Sequence, residues 1–172
     1  MKSIHNYREL ALKHLSIMYK SEHQFLVYLQ VLTYKASASQ LKELLFDVKQ
    51  SSNYKLNYLL KIMNSMKNTH IQAGSEGING LFKETFKLID EDSSATLVDA
   101  TLLHSLILAS HYKLGNYKTL LLYFRSLDFQ QEADLMQKIL YAEEAILKRV
   151  TTMVKEDFLI NVFNPKLEET YA

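Results

Sequence analysis

The chain contains no cysteine, which excludes disulfides, thiol nucleophiles and thiolate metal sites. One proline and four glycines are too few turn-formers for a loop-rich fold and favour long uninterrupted helices. No Gly-rich phosphate loop, GxSxG or HExxH occurs, so the common nucleotide-binding, serine-hydrolase and zinc-protease signatures are missing. No run reaches the roughly 20 apolar residues that span a bilayer. The opening MKSIHNYREL has no basic start followed by an apolar stretch and does not read as a secretory signal. A soluble cytoplasmic protein is the expectation. A net charge of +1 gives no electrostatic case for nucleic acid or an anionic membrane.

What is present is helical periodicity. The 172 residues are 48% apolar and 23% charged, enough for one domain with a full core. From Tyr7 to Lys35, apolar residues recur at three and four (Leu12, Leu15, Met18, Phe25, Leu29, Leu32) and predict a helix about 40 Å long. After KASASQ, a second helix is expected from Gln40 to about Asn68, with Ser39 as N-cap. Its inward line is Leu41, Leu45, Val48, Ser52, Leu56, Leu59 and Met63. NTHIQAGSEGING reads as loop, followed by a short helix from Leu81 to Ile89. A third long helix runs from about Ala95 to Ser126, capped by Ser93 or Ser94, with Leu97, Leu103, Leu106, Leu114, Leu121 and Leu122 among its apolar positions. Asp128 is the candidate cap for a fourth, from about Phe129 to Lys155. The tail, residues 156–172, carries apolar residues that could dock on the body, and Pro165 ends any helix there.

Short connections make each successive long pair antiparallel. A link of about 26 residues holds the short helix and joins the pairs. The expected fold is all-α: one ferritin-like four-helix bundle filling residues 1–172, its core about 6–155, with a crossover between the pairs.

A di-metal bundle needs acids and histidines pointing inward from all four helices. Helix one offers Glu22, on the row Met18, Glu22, Phe25, Leu29. Helix four offers Glu143, on the row Met136, Leu140, Glu143, Leu147. Each carboxylate is costly in an apolar row unless it is paired or metal-bound. The plainer alternatives are a buried Tyr or Lys partner, or a place at the stripe's edge. Helix two offers only Val48, Ser51, Ser52 and Lys55 inward, with Asp47 off the row. Helix three has no acid from Thr101 to Leu127, and its candidate turn carries Ser110, His111 and Lys113. An inward Lys113 would oppose a metal and could be the counter-charge to Glu22 or Glu143; an outward, solvated Lys113 is the other reading. His104 and His111 lie two turns apart on a similar face and read as structural or exposed. The eleven tyrosines suit core and boundary packing, with hydroxyls that need partners.

Four segments carry a resemblance. MYKSEHQFL is similar to an L-Y-x-A-E-x-Q-L opening, and GSEGINGLFKE to A-M-E-G-L-I-x-E, with Glu76 and Gly77 in place. ASHYKLGNYKTL is similar to V-E-H-Y-E-I-A-x-Y-G-T-L, and LYAEEAILKRVTTM to L-x-E-E-x-A-x-D-x-x-L-T-x-L. Together they resemble the YciE/YciF-like ferritin-superfamily proteins, a bacterial family of unassigned function linked to stress responses. The resemblance covers Tyr7 to about Val154 and implies a di-metal bundle ancestor and a homodimer. In the same alignment the family's helix-two His and Glu fall on Val48 and Ser51. Its E-H-Y-E becomes Ser110, His111, Tyr112 and Lys113, and its late Asp becomes Leu147.

The resulting expectation is a ferritin-like bundle that has lost its di-metal centre. Glu22, Glu143 and His111 are the vestigial metal positions and Lys113 a possible internal counter-charge. No cofactor is expected, and iron or manganese if any. The expected role is structural or stress-related and more non-enzymatic than enzymatic, as a homodimer without nucleic-acid or membrane partners. The rivals are a residual iron or manganese protein with oxidase or peroxide activity, and a bundle that binds a small organic ligand.

Overall fold

The computed structural model describes residues 4–67, 75–91 and 94–155. It contains five helices: α1 (Tyr7–Lys35), α2 (Ser39–Ser65), α3 (Glu76–Glu91), α4 (Ala95–Ser126) and α5 (Gln130–Met153). No strand occurs among the described residues. His70 and the expected docking tail lie outside them.

The caps explain the boundaries. Asn6 accepts the Glu9 amide at 2.9 Å, and the Glu9 carboxylate accepts the His5 amide at 2.9 Å, a reciprocal arrangement at the start of α1. Ser94 caps α4 through the Leu97 amide. Asp128 does not cap α5: it turns the chain with a φ of 58°, and Phe129 precedes the helix without a side-chain cap. Ser39 is the first residue of α2 rather than its cap. α2 has no side-chain cap, and the turn before it is held from another helix. Buried Asp99 of α4 accepts the Ser37 amide (2.8 Å), the Ala38 amide (2.9 Å) and the Ser37 hydroxyl (2.5 Å). One carboxylate thus satisfies the two amides that precede α2 and ties the α1–α2 turn to α4.

α3 begins five residues earlier than its apolar pattern predicts, and Gly77 and Gly80 are helical. At Gly77 the reason is space: a Cβ there would stand 2.5–2.7 Å from the Tyr112 ring. Phe82 of α3 stacks on Tyr28 with ring centroids 4.5 Å apart, and the Tyr28 hydroxyl donates to Asn79 at 2.8 Å. α3 therefore lies across α1 and α4.

The four long helices close a ring in which α1 and α5 each pack against α2 and α4. The core falls into two clusters. One joins the first half of α1, the second half of α2, the second half of α4 and the first half of α5, through Leu15, Ile62, Phe124 and Met136. The other joins the remaining halves with α3, through Leu32, Leu45, Leu102, Val150 and Phe82. Hence α1 and α5 run one way and α2 and α4 the other. Every neighbouring pair is antiparallel and the like-directed helices sit on the diagonals. Two of the apolar positions of the third long helix, Leu97 and Leu122, are exposed.

Asp99→Ala should lower stability by about 1–3 kcal/mol, because two backbone amides lose their acceptor. Urea unfolding should show a lower midpoint at unchanged slope.

Candidate functional site

Between the two apolar clusters lies a layer of charge. Glu22 of α1, Lys55 of α2, Lys113 of α4 and Glu143 of α5 are each fully buried, with 0% side-chain exposure. All four come from apolar helical rows, and the antiparallel ring brings them to one level. Since α1 and α5 are diagonal, the two carboxylates face each other across the square, as do the two ammonium groups.

Each lysine touches both acids. Lys113 Nζ lies 3.1 Å from Glu143 Oε2 and 3.4 Å from Glu22 Oε1. Lys55 Nζ donates to Glu143 Oε2 and lies 3.5 Å from Glu22 Oε1. Lys113 Nζ also sits 3.8 Å from the centre of the Phe25 ring, a cation–π contact that offsets part of its lost hydration. The Tyr117 hydroxyl donates to Glu22. Two negative and two positive groups leave the layer neutral.

The proton affinities follow from this geometry. Burial alone would raise the Glu143 pKa, but the Lys113 and Lys55 charges outweigh it and draw it from 4.5 to about 2. Burial would depress the Lys55 ammonium; attraction to Glu22 and Glu143 leaves it above its ordinary value instead. At Lys113 burial prevails over both carboxylates, and its pKa falls below the ordinary value. Burial and the charges of Glu22 and Glu143 raise the Tyr117 hydroxyl well above its usual range, so it remains a donor.

Glu22, Glu143 and Lys113, expected from the sequence, are thus brought together. His111 is not: it is exposed on α4, because positions 111 and 113 lie about 200° apart around a helix of 3.6 residues per turn. Lys55 carries half of the positive charge and was legible only as an inward position lacking a carboxylate. It is fully buried, while the neighbouring Leu56, expected inward, is only partly buried. Asp47 lies outside the layer, paired with Arg149 at 2.6 Å.

A di-metal centre does not fit these residues. It needs several anionic or imidazole ligands around each cation, and two carboxylates already neutralised by two ammonium groups are no such set. Among the described residues, no group of three or more His, Asp or Glu could hold a metal ion. The ammonium nitrogens stand between the carboxylates. Sealed from solvent, the four groups offer a substrate no direct approach.

The sequence of residues 6–162 matches the family described as a domain of unknown function, DUF892. The chain belongs to that family. Its fold is similar to that of the Escherichia coli stress protein YciF, with a TM-score of 0.83 and 21% identity over 95% of this chain and 100% of that one. It is likewise similar to YcfI from Rhodopseudomonas palustris, to which a structural role is provisionally given: TM-score 0.84 and 20% identity, over 88% of this chain and 96% of that one. No match is found among proteins of curated function. These likenesses establish an all-α, YciF-like bundle. No helix among the described residues is long and apolar enough to cross a membrane.

Lys55→Met or Lys113→Met should each cost about 3–5 kcal/mol, because an uncompensated buried carboxylate remains. Replacing all four charges together, as Glu22→Leu/Lys55→Met/Lys113→Met/Glu143→Leu, should restore stability to near or above the parent. Thermal melts of the three variants and the parent decide between this and independent contributions. The depressed Glu143 pKa stabilises the fold above pH 4.5, and that share is lost as pH falls towards about 2. Stability measured across this window should decline, and the decline should be shallower in Glu143→Gln.

Proposed function

We propose that this protein is a non-enzymatic member of its family, in which an internal layer of ion pairs has replaced the di-metal centre. It acts through protein contacts in a structural or stress-related role. The observation that carries this reading is the placement of the Lys55 and Lys113 ammonium groups, each against both Glu22 and Glu143. A tethered ammonium supplies the counter-charge of a metal without its exchangeable coordination positions or its redox chemistry. The stress role described for YciF and the structural role provisionally given to YcfI agree with such a function.

The test is metal loading. After incubation with Fe(II) or Mn(II) and desalting, elemental analysis should find no metal above background. The variant Lys55→Glu/Lys113→Glu places a carboxylate on each helix of the square. It should retain Mn(II) and melt at a higher temperature with it, whereas the parent's melting point should not move. Near-stoichiometric metal in the parent, lost in Glu22→Ala/Glu143→Ala, would overturn the proposal and favour iron or manganese oxidase or peroxide chemistry.

A further inference from the structure

Cysteine and tryptophan are both absent, while tyrosine occurs eleven times. Thiols and indoles are the side chains that ordinarily compete with phenols for one-electron oxidation. An electron taken from this chain is therefore taken, in the end, from a tyrosine. Among the described tyrosines Tyr117 alone is buried, with 0% exposure.

Tyr117 is also a phenol with a base in place. Its hydroxyl donates to Glu22 Oε1. A phenol that loses an electron becomes a strong acid, and the radical is neutral only once the proton has left. Here a carboxylate waits at the end of the existing hydrogen bond to receive it. The same oxygen lies 3.4 Å from Lys113 Nζ and 3.5 Å from Lys55 Nζ. Those ammonium groups favour the ionised carboxylate, so a proton lent to Glu22 returns to the phenol when the electron is restored. They also make the site hard to oxidise, which reserves it for strong oxidants. Burial keeps the ring from meeting a ring of another molecule, the step by which exposed tyrosyl radicals couple and disappear.

The layer is sealed, so the electron needs a path to the surface. Tyr112 supplies one. It lies five residues earlier on α4, about 7.5 Å along the axis, and is half-buried. It packs against the apolar cluster that holds Tyr117, and its hydroxyl is near enough to help raise the Tyr117 pKa. Its position is a built one: Gly77 leaves room for its ring, and Ser75 Oγ lies 3.3 Å from its hydroxyl.

We infer that Tyr117 is a redox site that takes up one oxidising equivalent from strong one-electron oxidants of the carbonate-radical class and holds it as a neutral tyrosyl radical, with Tyr112 as the relay. In the step the Tyr117 ring loses one electron and the carbonate radical anion gains it, becoming carbonate. The Tyr117 O–H bond breaks, and its proton forms a bond to Glu22 Oε1. A one-electron reductant such as ascorbate reverses both transfers. The event is stoichiometric and uses no metal. It rests on the preceding reading and gives the stress-related role a chemical form.

The test uses the full chain, treated with chelator and assayed for metal, then exposed to a pulse of photogenerated carbonate radical and followed by EPR. A long-lived tyrosyl signal is expected, with an exchangeable proton coupling that disappears in D2O, from the proton held on Glu22. The long-lived signal should be lost in Tyr117→Phe, whose ring still fills the core, and oxidation should end in dityrosine between exposed rings. Tyr112→Phe should reach the same final signal more slowly. A parent without a long-lived signal, a signal that survives Tyr117→Phe, or one without the exchangeable coupling would each overturn the inference, and an unchanged filling rate in Tyr112→Phe would overturn the relay. Iron or manganese retained by the parent counts against the preceding proposal; a metal-free parent without the radical counts against this one alone.

Discussion

Four buried charges at the middle of the bundle constrain everything around them. Dehydrating a carboxylate or an ammonium costs several kcal/mol even after the protein relaxes. Here each charge has two opposite neighbours, so the attraction is shared around a square. That arrangement requires all four helices at one level. A helix displaced by one turn would move its charged group about 5 Å along the axis, away from both partners. The apolar clusters above and below tolerate sliding far better, since leucine against leucine specifies register weakly. The charge layer therefore contributes uniqueness of alignment more than net stability, a role for which buried polar groups are known in helical assemblies.

The same square clarifies the relation to metal-binding bundles. A metal centre and this layer answer one electrostatic problem, that of acids facing each other across a dry core. A dication answers it with coordination positions that can exchange. Two lysines answer it with covalently tethered charge, available as soon as the chain folds and independent of metal supply. Each ammonium also needs less anionic charge, so two carboxylates suffice where a metal pair would need more. The buried Ser110 fits this requirement, because a further acid there would upset a layer that is already neutral.

Much of this was legible in the sequence, for identifiable reasons. Long helices followed from strong periodicity and few breakers. Glu22 and Glu143 stood out because an acid within an apolar row demands a partner. Lys113 could be suspected for the same reason in reverse. Lys55 was harder. A lysine can run its stem along a core and release its head to water, so its type does not reveal its burial; only the opposing helices do. Asp99 was invisible as the acceptor for the α1–α2 turn because the amides it receives lie some 60 positions earlier in the chain. Leu97 and Leu122 count among the apolar positions of α4, yet they are exposed on its outer face. The glycines of GSEGING suggested loop, yet α3 passes through two of them, one kept small by the Tyr112 ring.

The segment Leu108 to Tyr117 holds both halves of the argument. At the helical period its inward residues are Ser110, Lys113 and Tyr117, which meet the acids of α1 and α5. Its outward residues are Leu108, His111 and Gly115. The inward set is fixed by charge and sealed from solvent. With its buried lysine against both acids, α4 is held at a fixed height and rotation, so its outward residues keep a fixed direction relative to the other helices.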